Sequence, residues 1–184
     1  MKKMLCLALV IMMLLMSVAI AENTSVQYGN WKVQSYVDEF KMPTGQYFAV
    51  TTARGTFDNS AVNDEFLGVQ IRCELAKNGQ DYLIGFVLFE YGDHKVLNNS
   101  TRNNKTYNMV MLDSQGQKHY FDGIQPPQYT IILPEDEKVV FDAFMKGGTV
   151  RFYVEDAERT SNNYSFMLED VTGFDKAVEM LNGK

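Results

Sequence analysis

The chain has 184 residues, and 46% of them are hydrophobic, which is enough for one domain with a sizeable apolar core. It carries 17 basic and 23 acidic side chains, a formal net charge of −6. Proteins that bind nucleic acid or anionic lipid through their surface need a basic face, so this composition argues against both partners.

The first 21 residues have the three regions of a secretory signal peptide. Two lysines precede an apolar run over residues 4–16, and the sequence Ala-Ile-Ala at residues 19–21 fits the small-x-small rule for cleavage. The run is shorter than the ~20 residues that span a bilayer. We therefore expect cleavage between Ala21 and Glu22, no stable membrane insertion afterwards, and a single exported domain over residues 22–184, periplasmic or secreted.

Cleavage also changes the charge and the cysteine content. It leaves 15 basic and 23 acidic side chains, a net charge of −8 (15 − 23), and one cysteine, Cys73. An internal disulfide is then impossible, so the core itself has to stabilise the domain. Because Cys73 falls on an apolar strand face, we expect a buried, unreactive thiol and not a nucleophile.

Strand patterns fill the first half of the exported domain. Residues 31–37 alternate between apolar and polar side chains, which predicts a half-buried strand. Residues 47–53 are β-branched and aromatic and predict a second strand that ends at Arg54-Gly55. A polar loop over residues 55–65 is expected to follow.

Residues 67–91 give the clearest hairpin. The pair Asn78-Gly79 favours a two-residue type I′ turn, in which both positions need φ > 0. Residues 82–89 are apolar on both faces, so we predict a central strand. The turn sets the pairing of Lys77 with Gln80, Leu75 with Tyr82, Cys73 with Ile84, Ile71 with Phe86 and Val69 with Leu88.

The second half adds two hairpins and two helices. The predicted elements are a hairpin over 107–121, a short strand over 129–133, a helix from Glu135 to Gly147-Gly148, a hairpin formed by 149–156 and 164–169, and a last helix with Phe174, Ala177, Val178 and Leu181 on one face. The whole pattern predicts a mainly β protein. We expect an antiparallel β-sandwich or a strongly curved sheet of about eight strands, with two short helices in the C-terminal half.

The order of several motifs resembles a known group of proteins. An early Trp31 strand and a strand from Leu67 to Cys73 are followed by the helix VVFDAFMKGG, the strands TVRF and SFML, and a last helix with Gly173, Phe174 and Ala177. This order resembles the type VI secretion accessory periplasmic proteins and, less closely, the invasion-associated locus B proteins. The resemblance implies a periplasmic β-sandwich without established enzymatic activity. Residues 91–123 lack a counterpart to the Arg-plus-Trp strand of that family.

Few residues could carry chemistry. His94 and His119 are the only histidines, and neither lies at metal-ligand spacing from a second ligand. No G-x-S-x-G nucleophile motif occurs. We predict no metal, no cofactor and no catalytic residue, and we keep one alternative, a small exported hydrolase that uses His94 or His119 with an Asp.

One segment differs from the rest of the chain in charge. Residues 94–112 contain no Asp or Glu but include Lys95, Arg102 and Lys105. We predict a solvated loop over 92–106 in which these cations bind an acidic partner and contribute nothing to folding. Tyr91 and Tyr107 at its ends are the expected flat contacts. The preferred hypothesis is an exported, non-enzymatic binding or accessory module that contacts another envelope or secreted protein through this loop or through sheet edges.

The cleavage site can be tested directly. N-terminal sequencing of the exported protein should start at Glu22, because the small side chains of Ala19 and Ala21 fit the peptidase pocket. A mature chain that still begins at Met1 would contradict the assignment.

Overall fold

A computed structural model describes residues 25–76, 78–133 and 136–183. The predicted signal peptide, its cleavage site, Lys77 and the predicted helix start at Glu135 lie outside the described residues. In chain order the elements are β1 (Val26–Tyr28), β2 (Trp31–Val37), β3 (Pro43–Asp58), β4 (Glu65–Leu75), β5 (Tyr82–Glu90), β6 (His94–Lys95), β7 (Lys105–Leu112), β8 (Lys118–Gln125), β9 (Ile131–Ile132), α1 (Glu137–Lys146), β10 (Val150–Asp156), β11 (Asn163–Leu168) and α2 (Phe174–Leu181). None of the helices in these ranges has the length and apolarity to cross a membrane.

The strands form one antiparallel sheet that closes on itself. Eight of them follow in the order β3, β11, β10, β7, β8, β9, β5 and β4, and β4 pairs back to β3. The strands β1 and β2 extend the sheet beside β3, and β6 pairs with β5. The predicted mainly β, antiparallel fold with two helices in the C-terminal half is confirmed. The sandwich is wrong, because pairing β3 with both β4 and β11 leaves no second sheet and satisfies the edges that a sandwich would expose.

The long strand β3 makes this closure possible. Its first half pairs with β2 and its second half with β11, while β4 runs along its other edge. The predicted stop at Arg54-Gly55 is therefore wrong. Gly55 lies opposite Phe166, and a Cβ on Gly55 would lie 1.9 Å from the carbonyl oxygen of Ser165. This glycine marks a close approach of two backbones and not the end of a strand.

The central hairpin has the predicted register but a different turn. Cys73 pairs with Ile84 and Leu75 with Tyr82. Gly79 has φ 70°, but its N–H donates to the carbonyl of Ala76 at 2.9 Å, which places the reverse turn one residue earlier than a two-residue loop at Asn78-Gly79, so the type I′ turn is wrong. Instead, Asn78 Oδ1 accepts hydrogen bonds from the N–H groups of Gln80 and Asp81, at 3.0 and 3.1 Å. The side chain of Asn78 thus shapes a longer turn, as Asn commonly does.

The inward faces of the barrel strands form one apolar cluster, and the helices cover one end of it. Trp31 packs against Phe174 of α2 and Phe144 of α1, with ring centroids 4.7 and 5.6 Å apart. Cys73 is fully buried in this cluster, as predicted, and burial raises the pKa of its thiol. The predicted apolar face of α2 is confirmed, because all four of its residues are buried.

The close approach at Gly55 gives a stability prediction. Gly55→Ala should cost about 2 to 3 kcal/mol, because the added methyl group overlaps backbone atoms that cannot move without opening the β3–β11 pairing. Gly68→Ala is the matched control, since a Cβ there meets its nearest atoms at 3.6 Å, an ordinary contact. That variant should stay within about 1 kcal/mol of the wild type. Urea unfolding of both variants measures the difference, and equal losses would contradict the steric explanation.

Candidate functional site

The end of the barrel opposite the helices, which we call the mouth, carries a cluster of inward-facing polar side chains. Strand alternation places them there, because each shares a face with core residues or lies opposite one: Glu90 lies opposite Leu67, and Asp156 lies opposite Tyr107. The mouth cluster consists of Glu90, Lys105, Tyr107, Gln125, Asp156 and Tyr164.

An ion pair lies at the centre of the mouth cluster. Lys105 Nζ is 2.9 Å from Asp156 Oδ2, and the Asp156 side chain is fully buried. The contact is an ion pair and not a well-directed hydrogen bond, since Oδ2 lacks a hydrogen-bond partner. Asp156 Oδ1 accepts the backbone N–H groups of Glu158 and Arg159, at 3.0 and 3.2 Å. Both carboxylate oxygens are therefore engaged by positive or donor groups, as a buried charge requires.

Burial and charge act in opposite directions on Lys105. Burial lowers the pKa of its ammonium group, but the contacts with Asp156 and Tyr107 raise it, and the net result is a raised pKa. The ammonium also lies 4.9 Å from the centroid of the Tyr107 ring, within cation–π range. Lys105 is thus held in its charged form inside the mouth.

The two tyrosines of the mouth cluster are neutral hydrogen-bond donors. Tyr107 donates its hydroxyl hydrogen to Gln125 Oε1 at 2.8 Å, and Tyr164 donates to Glu90 Oε1 at 3.1 Å. Burial raises the pKa of Tyr107, and burial followed by the Glu90 charge raises the pKa of Tyr164. A raised phenol pKa opposes a role as general base or nucleophile at neutral pH. The two hydroxyl groups instead position the side chains of Gln125 and Glu90.

A loop covers the mouth and is tied to the mouth cluster. We call residues 91–104 the mouth loop. Gln125 Nε2 donates to the carbonyl of Val96 at 2.9 Å, and the buried Asn98 donates through Nδ2 to the carbonyls of Asn103 and Gln125, at 2.8 and 2.7 Å. Ser100 Oγ accepts the N–H of Asn103 at 2.9 Å. The expected solvated loop is therefore partly wrong, since its centre is buried and bonded to the barrel.

A polar pocket of about 350 Å³ lies between the mouth loop and the β10–β11 turn. Its lining contains a set of amide and hydroxyl side chains and a set of charged side chains. The first set is Asn98, Asn99, Ser100, Asn103 and Asn104, and the second is Lys105, Asp156, Glu158 and Arg159. Two positive and two negative charges balance, so the pocket can donate and accept hydrogen bonds without a strong preference for either sign of charge.

The structure separates the predicted site residues into two groups. Lys95 and Arg102 are exposed, and Tyr91 is 49% exposed, with its ring edge-on to Phe57 at 5.1 Å. Lys105 and Tyr107 lie together inside the mouth, and Tyr107 has no exposed surface. Tyr107 is therefore not an accessible contact. Lys105 pairs with the buried Asp156 at 2.9 Å, so we expect it to contribute to folding, in contrast to the sequence-based prediction.

Sequence reasoning missed Glu90, Gln125, Asp156 and Tyr164. A sequence signal for two of them was present, because Gln125 and Asp156 fall on the inward phase of strands whose buried inward side chains, Phe121 on β8 and Phe152 and Val154 on β10, are apolar. A charged residue on that phase needs a buried partner. The sequence does not say which one.

Other reactive side chains lie outside the mouth cluster. His94 Nδ1 is 2.6 Å from Asp93 Oδ1, and both side chains are exposed. His119 Nε2 is 3.1 Å from Asp113 Oδ2, at the opposite end of the barrel. Within the ranges 25–76, 78–133 and 136–183, no three His, Cys, Asp or Glu side chains cluster as a metal site would need.

Comparison with known proteins identifies no relative of this chain. No family model, no curated protein and no solved structure matches the chain. The motif-order resemblance to accessory periplasmic proteins therefore remains a proposal.

The buried ion pair gives a second stability prediction. Lys105→Met should cost about 2 to 4 kcal/mol, because it leaves the Asp156 carboxylate buried without a cation. Adding Asp156→Asn should recover part of the loss, since the amide oxygen can still accept the N–H groups of Glu158 and Arg159.

The exposed loop cations are the matched controls for this prediction. Lys95→Met and Arg102→Met should each change the free energy of unfolding by less than about 0.5 kcal/mol. Denaturant unfolding of the four variants measures these changes in the free energy of unfolding. A loss for Lys105→Met no larger than for Arg102→Met would show that the ion pair does not stabilise the fold.

Proposed function

We propose that this protein is an exported, non-enzymatic binding module that contacts an acidic segment of another envelope or secreted protein through the mouth loop. The observation that carries the proposal is the combination of a fixed loop shape and exposed cations. Asn98 and Ser100 hold the loop backbone, while Lys95 and Arg102 remain on its surface.

The fixed shape supports binding because it lowers the cost of association. A loop that is ordered before it meets its partner loses less conformational entropy in the complex. The anchoring side chains, Asn98 of the loop and Gln125 of β8, are buried and do not lie on the surface that a partner would touch. Binding could therefore use the exposed side without breaking these hydrogen bonds.

The charges support an acidic partner. Residues 94–112 contain no carboxylate side chain in a chain whose net charge is −6. In the described part of the chain, Lys95 and Arg102 form no ion pair within 4 Å, whereas Lys105 is committed to Asp156. Two unpaired cations on an otherwise acidic protein favour encounter with a negative surface. The exposed Tyr91 adds a flat apolar contact beside them.

A small exported hydrolase is the second candidate, because each histidine contacts an aspartate as a general base would. Such a dyad also needs a nucleophile. Among the described residues, no hydroxyl or thiol group hydrogen-bonds to either imidazole. Loss of ester or peptide hydrolysis in both His94→Ala and His119→Ala would favour this candidate over the binding module.

The binding module can be tested by site-specific crosslinking in the exporting cells. A photo-reactive side chain at Arg102 should capture a discrete protein, because this position faces outward on the fixed loop. The same group at Lys176, an exposed residue of α2 at the opposite end of the barrel, is the control and should capture none.

The captured protein then allows a charge test. Lys95→Glu with Arg102→Glu should slow its association about 3- to 10-fold at low salt, and added salt should reduce the wild-type rate toward that of the variant. The matched control is Lys146→Glu with Lys176→Glu, which makes the same change of net charge on the helices. Equal capture at both crosslinking positions, or equal slowing by both double variants, would refute a role for the mouth loop.

A further inference from the structure

The outer faces of β8, β7 and β10 carry three ordered rows of side chains, which we call the wall patch. Direct cross-strand pairing defines each row. The basic row is Lys118, Leu112 and Arg151, the aromatic row is Tyr120, Val110 and Tyr153, and the acidic row is Asp122, Asn108 and Glu155. The alternate residues on the same strands point into the core, so the three rows face outward.

The centre of the wall patch is unusually apolar for an exposed strand face. Tyr120 is 73% exposed and Tyr153 is 40% exposed, and Val110 and Leu112 are half-buried between them. A shallow groove of about 320 Å³ lies among these side chains and is bordered by Lys118 and Arg151. Exposed aromatic side chains with a charged rim are typical of protein–protein interfaces.

Glu155 of the acidic row contacts two polar neighbours on the wall patch. Tyr153 donates its hydroxyl hydrogen to Glu155 Oε2 at 3.4 Å, and Asn108 Nδ2 donates to Glu155 Oε1 at 3.5 Å. Because these bonds are long and weak, the carboxylate can still accept a stronger, charged donor. No ion pair within 4 Å involves any of the four charged residues of the wall patch in the described ranges.

The order of the rows makes the wall patch complementary to itself. A two-fold axis that lies along the aromatic row places a second copy face to face with the first, with its strands running in the opposite direction. Lys118 and Arg151 of one copy then face Asp122 and Glu155 of the other, and the reverse, while the tyrosines meet at the centre. A face-to-face arrangement in which the strands of the two copies run parallel would instead place like charges together.

We propose that two copies of this chain associate through the wall patch, with their strands antiparallel across the interface. A second copy fits better than an unrelated protein because the two basic and two acidic charges of the patch match each other in number and spacing. The patch covers three strands spaced about 4.8 Å apart on a convex wall, so the buried area is small and the dimer is weak. The wall patch shares no residue with the mouth loop, so this inference is independent of the proposed function.

The dimer can be tested by sedimentation of the protein purified from cells that export it. In about 50 mM salt, we expect a monomer–dimer equilibrium with a Kd of about 10 to 100 µM, weakened several-fold in about 0.5 M salt. Lys118→Glu with Arg151→Glu and, separately, Asp122→Lys with Glu155→Lys should each give monomers, because like charges then face each other. An equimolar mixture of these two variants should form a heterodimer with a Kd close to that of the wild type.

Two further variants, one matched control and one substitution in the aromatic row, test whether the association is specific to the wall patch. Lys146→Glu with Lys176→Glu makes the same charge change on the helices and should leave the dimer intact. Tyr120→Ser replaces a mostly exposed side chain, so it should leave the fold unchanged and weaken association at least about 10-fold.

Three outcomes would overturn the proposal. They are a wild-type protein that stays monomeric up to about 0.5 mM, charge variants that still form homodimers, and variants that form monomers alone but do not associate when mixed. The last outcome would leave the wall patch to a different protein.

Discussion

The pairing of β3 with β11 is the contact on which the rest of this fold depends. Strand β3 first carries β2 on this edge and then, past Val50, turns the same edge toward β11. Only a residue without a side chain fits at Gly55, where the two backbones come closest. Without this contact β11 would have a free edge, the inward faces of eight strands would not meet, and the apolar cluster would be open to water.

Closure then imposes a requirement on every inward position. At the helical end, Trp31, Phe144 and Phe174 fill the space with apolar area. At the mouth, the inward positions are polar, and each has to find a partner because an unpaired buried polar group costs about 1 to 3 kcal/mol. Gln125 meets this requirement by bonding to Tyr107, Val96 and Tyr129, and in doing so it fastens the mouth loop to the barrel. The mouth loop is thus ordered because its backbone satisfies the hydrogen-bonding groups of buried side chains inside the barrel.

Local patterns predict the local part of this structure. The hairpin registers follow from alternation and turn residues that lie close together in sequence, and the pairing of Cys73 with Ile84 was predictable for that reason. Closure was not predictable, because Gly55 has the signature of a strand end as well as that of a close approach. The role of Lys105 was also hidden. It has the sequence signature of a loop cation because its partner, Asp156, is contributed by a strand that is distant in sequence and pairs directly with β7.

Strand β7 links the two surfaces for which binding is proposed, and alternation keeps them apart. Its inward residues Lys105 and Tyr107 support the mouth, while its outward residues Asn108, Val110 and Leu112 form the middle of the wall patch. An association of two copies with antiparallel strands would direct the two mouths toward opposite ends of the dimer. Neither mouth loop would then be covered by the second copy. Dimerisation through the wall and partner binding at the mouth are therefore sterically compatible, and a single partner would have to span the length of both barrels to occupy both mouths at once.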